Sequence, residues 1–427
     1  MTRTEVLASD PGLDAKSESS DRSIYGENPL ISACGPILTD AEVMPRLLQA
    51  PPPPDASEPH AAHLVLHELN DLWRIHIPTE TGVALAQGID TMIRQGYVHR
   101  DPRKPLTWQR IYQRGGDQDP PAEPPIQLAA SVFGVSGAGK TSALEAALRL
   151  KPQVVTHDRF PHLAGPVRQL VWLKADAPGS GNVKDLVDAL ARASDLALGT
   201  DHAGALFKGR SRTGAMLANE WLARIACHFP GVIVLDEIQN LFKIEAKAIR
   251  RSAEMTKGRP LLRIVDDEAL KFILTLTNTT KIPIVICGTP DAMRVFGTRT
   301  STAQRLVTAG FYQIDYAASP DDEFFRKRLL PVLFKYQWLN RRLHLTTELC
   351  TRIHKLTAGV PRICVALWFH AHRRALRLKA QGLEPEHLEH AALNELAPLR
   401  AAIQALLSQD PRRLAQFEDL IPPDASW

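Results

Sequence analysis

The sequence is poor in the features that mark secreted, membrane-spanning or disulfide-stapled proteins. Its 427 residues hold five cysteines (Cys34, Cys227, Cys287, Cys350 and Cys364), widely separated and without a C-x-x-C pair. That odd, scattered set argues against a disulfide framework and a zinc site, and for a reducing compartment. No apolar run approaches the roughly 18 residues of a membrane helix. The first 22 residues are polar and carry five acids, which excludes a secretory signal. A cytoplasmic protein without a membrane partner is the expectation. Aromatic residues make up 6%, with no aromatic–basic alternation that would mark a base-stacking surface. Net charge is +4, too small to name a partner. What remains is an ordinary globular composition, 44% hydrophobic and 23% charged, on a chain long enough for more than one domain.

Punctuation divides the chain. Residues 1–22 read as a solvated tail, and 23–114 as a small, mainly helical N-terminal domain suited to docking a partner. Within it, Pro51–Pro54 forms a stiff spacer, and helices are expected over 60–74 and 79–95, the second capped by Thr79. Its aromatic residues Trp73, Tyr97, Trp108 and Tyr112 are most economically that domain's own core. His63 and His67 lack the companions of a metal set. The Gly-, Pro- and acid-rich stretch 115–127 is a linker.

Beyond the linker the pattern alternates strand and helix. Strands are expected at 128–133, 167–174, 232–235 and 282–287, and helices at 182–198, closed by Gly199, and 216–229. Apolar strands without polar alternation imply a parallel sheet covered on both faces. The fold class is therefore α/β, with a sheet core over 128–319, a helical lid over 320–409 and a tail over 410–427.

Gly134-Val-Ser136-Gly137-Ala-Gly139-Lys140-Thr141-Ser142 matches G-x-x-x-x-G-K-[ST], with a strand before and a helix after. The glycines aim successive backbone N–H groups at phosphates, Lys140 reaches the β- and γ-phosphates of ATP, and the Thr141 hydroxyl joins the Mg²⁺ shell. Val232–Leu235 then delivers Asp236 and Glu237 to a strand tip, where ligands of open α/β sheets bind. Asp236 suits the Mg²⁺ shell and Glu237 the attacking water, a pairing that favours hydrolysis. At the tip of the 282–287 strand, Thr289 either touches the γ-phosphate or the water, or caps the next helix.

Together with Gly359-Val-Pro361-Arg362, these motifs resemble AAA+ ATPases, and more narrowly the TnsC/TniB family of ATP-dependent transposon target-selection regulators. QLVWLKADAPGSGNVKDLVDALARASDLALGT (169–200), VIVLDEIQNL (232–241) and KIPIVICGTPDA (281–292) carry the likeness, which covers about 128–400. The sequence departs from AAA+ proteins in having Thr289 where Asn is common. The resemblance implies that Arg305 is an arginine finger reaching a neighbouring subunit's nucleotide, with Arg294 and Arg299 as competitors, and that Arg362 senses the γ-phosphate from the lid.

Positive charge is locally concentrated. Residues 241–263 hold seven Lys/Arg against two acids, and 322–379 hold thirteen against three. Lys174, Lys184, Lys208, Arg210 and Arg212 add basic residues on the core. Such a distribution suits duplex DNA bound through its backbone with little sequence preference. The expectation is an ATPase that assembles as a homo-oligomeric ring or filament on double-stranded DNA with ATP. It would recruit or activate a transposase, work with target-selector proteins, and disassemble on hydrolysis. A nucleotide-switched signalling or defence adaptor without DNA binding, and a replication-initiator-like loader, are the alternatives.

Overall fold

The computed structural model describes residues 24–55, 61–112, 127–160, 163, 165–207, 213–241, 271–274, 276, 280–297, 300–414 and 416–417. The expected tail 1–22, nearly all of the 115–127 linker, the loop with Lys208, Arg210 and Arg212, and the basic residues from Lys243 to Arg263 lie outside them.

Five parallel strands form the centre, in the order β4-β5-β6-β1-β7. They are β1 (Ala129–Phe133), β4 (Trp172–Asp176), β5 (Val232–Asp236), β6 (Ile284–Gly288) and β7 (Phe311–Gln313). Every residue of β1, β5 and β6 is buried, which is why these strands read as unbroken apolar runs. The order places β1 between β6 and β7, and β5 between β4 and β6, so the tips of β1, β5 and β6 adjoin.

The single strand expected over 167–174 is divided. β3 (Val167–Leu170) pairs antiparallel with β2 (Val154–His157) in a separate ribbon, and after Val171 the chain enters the main sheet as β4 beside β5. The cause is visible in β3's polar residues. Gln169 is fully buried, bonded to His157 Nε2 and donating to Leu30 O, partners that a place in the main sheet would not supply.

Helices cover the sheet as their caps predict. The phosphate-loop helix α5 (Lys140–Arg149) follows β1. Helix α6 (Val183–Leu198) starts where Asn182 Oδ1 accepts from Lys184 N–H at 2.8 Å and stops at Gly199, whose φ is +61°. Helix α8 (Gly214–Ile225) runs into a 3₁₀ turn at Ala226–His228, slightly short of the expected end at 229. Between α6 and α8 lies α7 (His202–Phe207), and after β6 come α9 (Pro290–Gly297) and α10 (Thr300–Leu306).

Among the described residues, those of 24–112 build no core of their own. Helices α1 (Asp40–Leu47) and α3 (Glu80–Tyr97), with Trp108 of α4 (Pro105–Tyr112), share one apolar cluster with β1, β5 and α5. At that junction Asp90 pairs with Arg94 at 2.9 Å and with Lys151 at 2.6 Å, all three buried. Lys151 also donates to Cys34 O and Arg94 to Gly35 O. The Tyr97 hydroxyl donates to Phe229 O, and Trp108 meets the Phe229 ring edge-on. These aromatics thus bind the N-terminal helices to the sheet domain instead of closing a domain of their own.

Helix α2 (Ala62–Glu68) and the 3₁₀ turn Leu69–Arg74 face the other way, into the lid. Val65, Leu69 and Leu72 are fully buried in the lid's cluster, around Phe325, Trp368 and Leu388. Each such burial contributes on the order of 2 kcal/mol. Tyr336 donates its hydroxyl to Pro51 O, so the proline run is fastened to the lid. The lid comprises α11 (Thr347–Thr357), α12 (Pro361–Arg377) and α13 (Pro385–Leu393), whereas Ile403, Ala405 and Leu406 of α14 (Arg400–Ser408) and Leu414 pack with the sheet domain's cluster. Among the described residues, no helix is long and apolar enough to cross a membrane.

Candidate functional site

Where the tips of β1, β5 and β6 meet the lid there is a cavity of about 770 Å³, within the size range of a small-molecule site. Ser136 to Ala143, Glu237, Gln239, Thr289, Asp291 and Arg362 line it.

The phosphate loop is shaped by close approach on both sides. A Cβ on Gly134 would stand 1.9 Å from Ile314 O, so only glycine lets the chain pass the end of β7. Gly137 and Gly139 have φ of +82° and +102°, turning backbone N–H groups toward the cavity mouth of α5. Lys140 folds over the loop and donates to Val135 O at 3.1 Å.

Asp236 ends β5 with its side chain almost wholly buried. Its Oδ1 accepts from the Glu237 N–H at 2.9 Å, while Oδ2 is buried 3.3 Å from the Lys174 ammonium. Glu237 is exposed to the cavity and has φ of +53°, a left-handed backbone that costs a non-glycine residue about 1–2 kcal/mol. Strain of this kind gathers at functional sites. The Gln239 side-chain amide donates to the Glu237 carboxylate, and its Oε1 accepts from Thr289 N–H at 3.3 Å. Thr289 is buried at the start of α9 and donates its hydroxyl to Asp291. It therefore lines the cavity with its hydroxyl directed to Asp291.

The lid closes the cavity through α12. Pro361 occupies the first helical position, and the Arg362 N–H donates to Gly137 O at 3.2 Å. The opposite wall was not foreseen from the sequence. Leu72, Trp73, Ile75, His76, Ile77 and Thr79 line it, held by paired backbone bonds between Gln49 and His76 at 2.8 and 2.9 Å. Trp73 also packs against Phe369 of α12 with the rings tilted at 46°, 5.6 Å between ring centres. Burial first, and the Arg149 charge second, lower the His76 pKa to about 4. No motif marks these residues, because they precede the phosphate loop by some sixty positions and meet it only through folding.

Lys174 stands elsewhere than on a DNA-facing surface. Its ammonium lies 3.3 Å from Asp236, 3.1 Å from Glu145 and 3.4 Å from Asp176. Burial works against its charge, but the Asp236, Glu145 and Asp176 carboxylates outweigh it and raise its pKa. Lys184 is exposed in the first turn of α6. Arg305 is exposed on α10 and does not line its own chain's cavity. Arg299 and the Arg294 side chain lie outside the described residues.

This constellation has a counterpart in known proteins: residues 127–296 match the family model described as an AAA domain. The chain carries an AAA-family P-loop ATPase domain. The five-stranded parallel sheet with its helical C-terminal region is the corresponding α/β fold. Solved structures with some similarity include a Walker-type ATPase of Pyrococcus abyssi (14% identity, 67% of this chain and 72% of that chain, TM-score 0.38). Others are the ORC2 protein of Aeropyrum pernix in ADPNP–ADP complexes (10%, 72% and 66%, TM-score 0.39) and a RuvB variant of Thermotoga maritima (13%, 67% and 67%, TM-score 0.30). Likeness this slight transfers no property to this chain. None of the curated proteins compared matches it significantly.

The ATPase domain's donors fit a magnesium nucleotide. A buried carboxylate at the β5 tip, Asp236, and a threonine hydroxyl in the first turn of α5, on Thr141, are hard oxygen ligands of the kind Mg²⁺ takes. Among the described residues there is no His/Cys/Asp/Glu cluster that would hold a resident metal by itself.

Proposed function

We propose that the chain is an ATP-switched regulator of transposition that assembles on duplex DNA and contacts a transposase and target-selector proteins. The observation that carries the assembly is the division of the site. Lys140, Thr141, Glu237, Thr289 and Arg362 line one cavity, with Asp236 buried just behind Glu237 at the β5 tip, while Arg305 is exposed outside it. A second copy is then needed to bring a finger arginine to the γ-phosphate, and such a head-to-tail contact propagates into a ring or filament.

In this reading Gly134, Ser136, Gly137 and Gly139 cradle the triphosphate, and Ser142 adds a hydroxyl in the first turn of α5. Lys140 neutralises the β- and γ-phosphates, and Arg362 reports the γ-phosphate to the lid. Thr141 and Asp236 would hold Mg²⁺, which would supply neutralisation of phosphate charge. Glu237 orients and polarises the attacking water, with Gln239 steadying its carboxylate. The wall from Trp73 to Thr79 encloses the base and ribose end. Hydrolysis removes the γ-phosphate bridge and loosens the assembly.

DNA contact is assigned to the lid. Part of its positive charge is already matched, by Arg326 to Asp321, Lys327 to Glu323, Arg341 to Glu384 and Arg352 to Glu389. The C-terminal half of α12 is different. It carries Arg373, Arg374 and Arg377, with Lys379 just beyond, and no acid from 361 to 383. This supports a phosphate-binding face read without sequence preference. Transposition itself rests on the motif resemblance.

The test is fluorescence anisotropy on random-sequence duplex DNA with ATP, ADP or no nucleotide across a salt series. Tight, steeply salt-dependent binding with ATP alone supports the reading, and exchanging Arg373 and Arg374 for glutamate then weakens binding and flattens the salt slope. Absence of binding in every state sinks the DNA switch and leaves the adaptor.

A further inference from the structure

The partly buried ammonium of Lys174 occupies the place where metal coordination is expected. Lys174 and Asp176 alternate along β4, so both side chains leave the same face of the sheet. Register pairs Asp176 directly with Asp236 on β5. Two carboxylates would face each other there across parallel strands, and Lys174 Nζ sits between them at 3.4 and 3.3 Å. The third carboxylate, Glu145, comes from α5, the helix that begins with Lys140 and Thr141, and lies at 3.1 Å. Glu145 has a second cation, Arg149, at 3.8 Å. The Lys174 side chain is 17% exposed and that of Asp236 only 3%. One ammonium thus ties two strand tips to the phosphate-loop helix, its contact with Asp236 being to Oδ2.

Three carboxylates against the Lys174 and Arg149 cations leave an excess of one negative charge, a weak attraction for a divalent cation. That cation would also have to settle beside a positive charge 3.3 Å from its own ligand. Bare Mg²⁺ meets this repulsion unaided, whereas Mg²⁺ arriving with a nucleotide brings the phosphate charge that offsets it.

We propose that Lys174 is a positioning residue of the nucleotide site, holding Asp236 in place when no metal is bound and making Mg²⁺ binding conditional on the nucleotide. The proposal rests on Asp236 belonging to the Mg²⁺ shell. It assigns to Glu145 and Asp176 the task of drawing Lys174 away from Asp236. Free Mg²⁺ is then a poor ligand of the empty site, and the chain responds to the magnesium nucleotide as one unit.

The experiment is a Mg²⁺ titration of the full chain, following a mant-labelled non-hydrolysable ATP analogue, alongside melting with Mg²⁺ and no nucleotide. In the wild type, Mg²⁺ strengthens analogue binding but does not move the melting temperature without nucleotide. Lys174→Met lowers the half-saturating Mg²⁺ by about tenfold or more, and Mg²⁺ alone now raises its melting temperature. Lys174→Arg keeps the wild-type pattern. Glu145→Gln, which leaves Lys174 in place, raises the half-saturating Mg²⁺ several-fold and serves if Lys174→Met does not fold. Unchanged half-saturation in Lys174→Met, or in Glu145→Gln, overturns the proposal. If wild-type analogue binding ignores Mg²⁺ altogether, the Asp236 assignment falls and the proposal with it.

Discussion

The Arg362 backbone N–H donates to the Gly137 carbonyl at 3.2 Å, so the lid's longest helix starts directly on the phosphate loop. A Cβ at Gly137 would come within 3.1 Å of Val360 Cγ1 and 3.2 Å of Arg362 Cβ, on a backbone with φ of +82°. Gly137→Ala is therefore expected to cost about 1–2 kcal/mol in backbone strain and to push the lid off the loop. Calorimetric titration with ATP checks this, the expected outcome being at least about tenfold weaker binding.

Lys140→Ala and Glu237→Gln are expected to fail differently. The first removes the charged partner of the β- and γ-phosphates, so ATP binding itself falls, by about 1.5–3 kcal/mol or more. The second keeps binding and loses the water's base, so turnover drops about 10²–10⁴-fold while ATP stays bound. Nucleotide-binding and phosphate-release assays on both variants separate the two steps. Wild-type turnover by Glu237→Gln would remove that residue from the mechanism.

Because Arg305 lies outside its own cavity, Arg305→Ala and Lys140→Ala are expected to complement each other. Each is inactive alone, but a mixture contains interfaces where an intact Arg305 meets an intact Lys140. Partial recovery of ATP turnover on mixing is the expected result. Full activity of Arg305→Ala by itself would transfer the finger to Arg294 or Arg299.

Asp90 compensates two buried cations, Arg94 at 2.9 Å and Lys151 at 2.6 Å. Asp90→Asn leaves both without their carboxylate, for which a loss of about 3–5 kcal/mol is expected. Denaturant unfolding measures it. A loss below about 1 kcal/mol would mean that the carbonyls of Cys34 and Gly35 satisfy the two cations without it.

His372 is fully buried on α12, bonded through Nδ1 to Trp368 O at 2.8 Å, with Nε2 unpartnered. Burial first lowers its pKa to about 4, against a backbone hydrogen bond that raises it. The unfolded chain, with an ordinary histidine pKa near 6.5, binds more protons between these values. Stability is thus present above about pH 6.5 and lost as pH falls toward 4, by about 1.4 kcal/mol per unit for this group. Melting curves from pH 7 to 5 are expected to show that slope, shallower in His372→Leu. An equal slope in the variant would place the acid sensitivity elsewhere, with His76 the next residue to replace.

The sequence alone determined what is local. The phosphate loop, the Asp236–Glu237 strand tip, the caps at Asn182 and Gly199 and the buried parallel strands depend on short-range chemistry: glycines that admit positive φ, apolar runs that must be buried, side-chain oxygens that cap orphan N–H groups. Tertiary structure decided what depends on distant segments meeting. It broke 167–174 into two strands because Gln169 found partners near Leu30 and His157. It joined the N-terminal helices to the sheet and the lid through Asp90, Tyr97 and Leu69 instead of leaving them a separate core. It set the wall from Trp73 to Thr79 across the cavity from Lys140. And it turned Lys174, a plain basic residue in the sequence, inward among three carboxylates, because strand register and the first turns of a helix brought those acids together where no linear spacing records it.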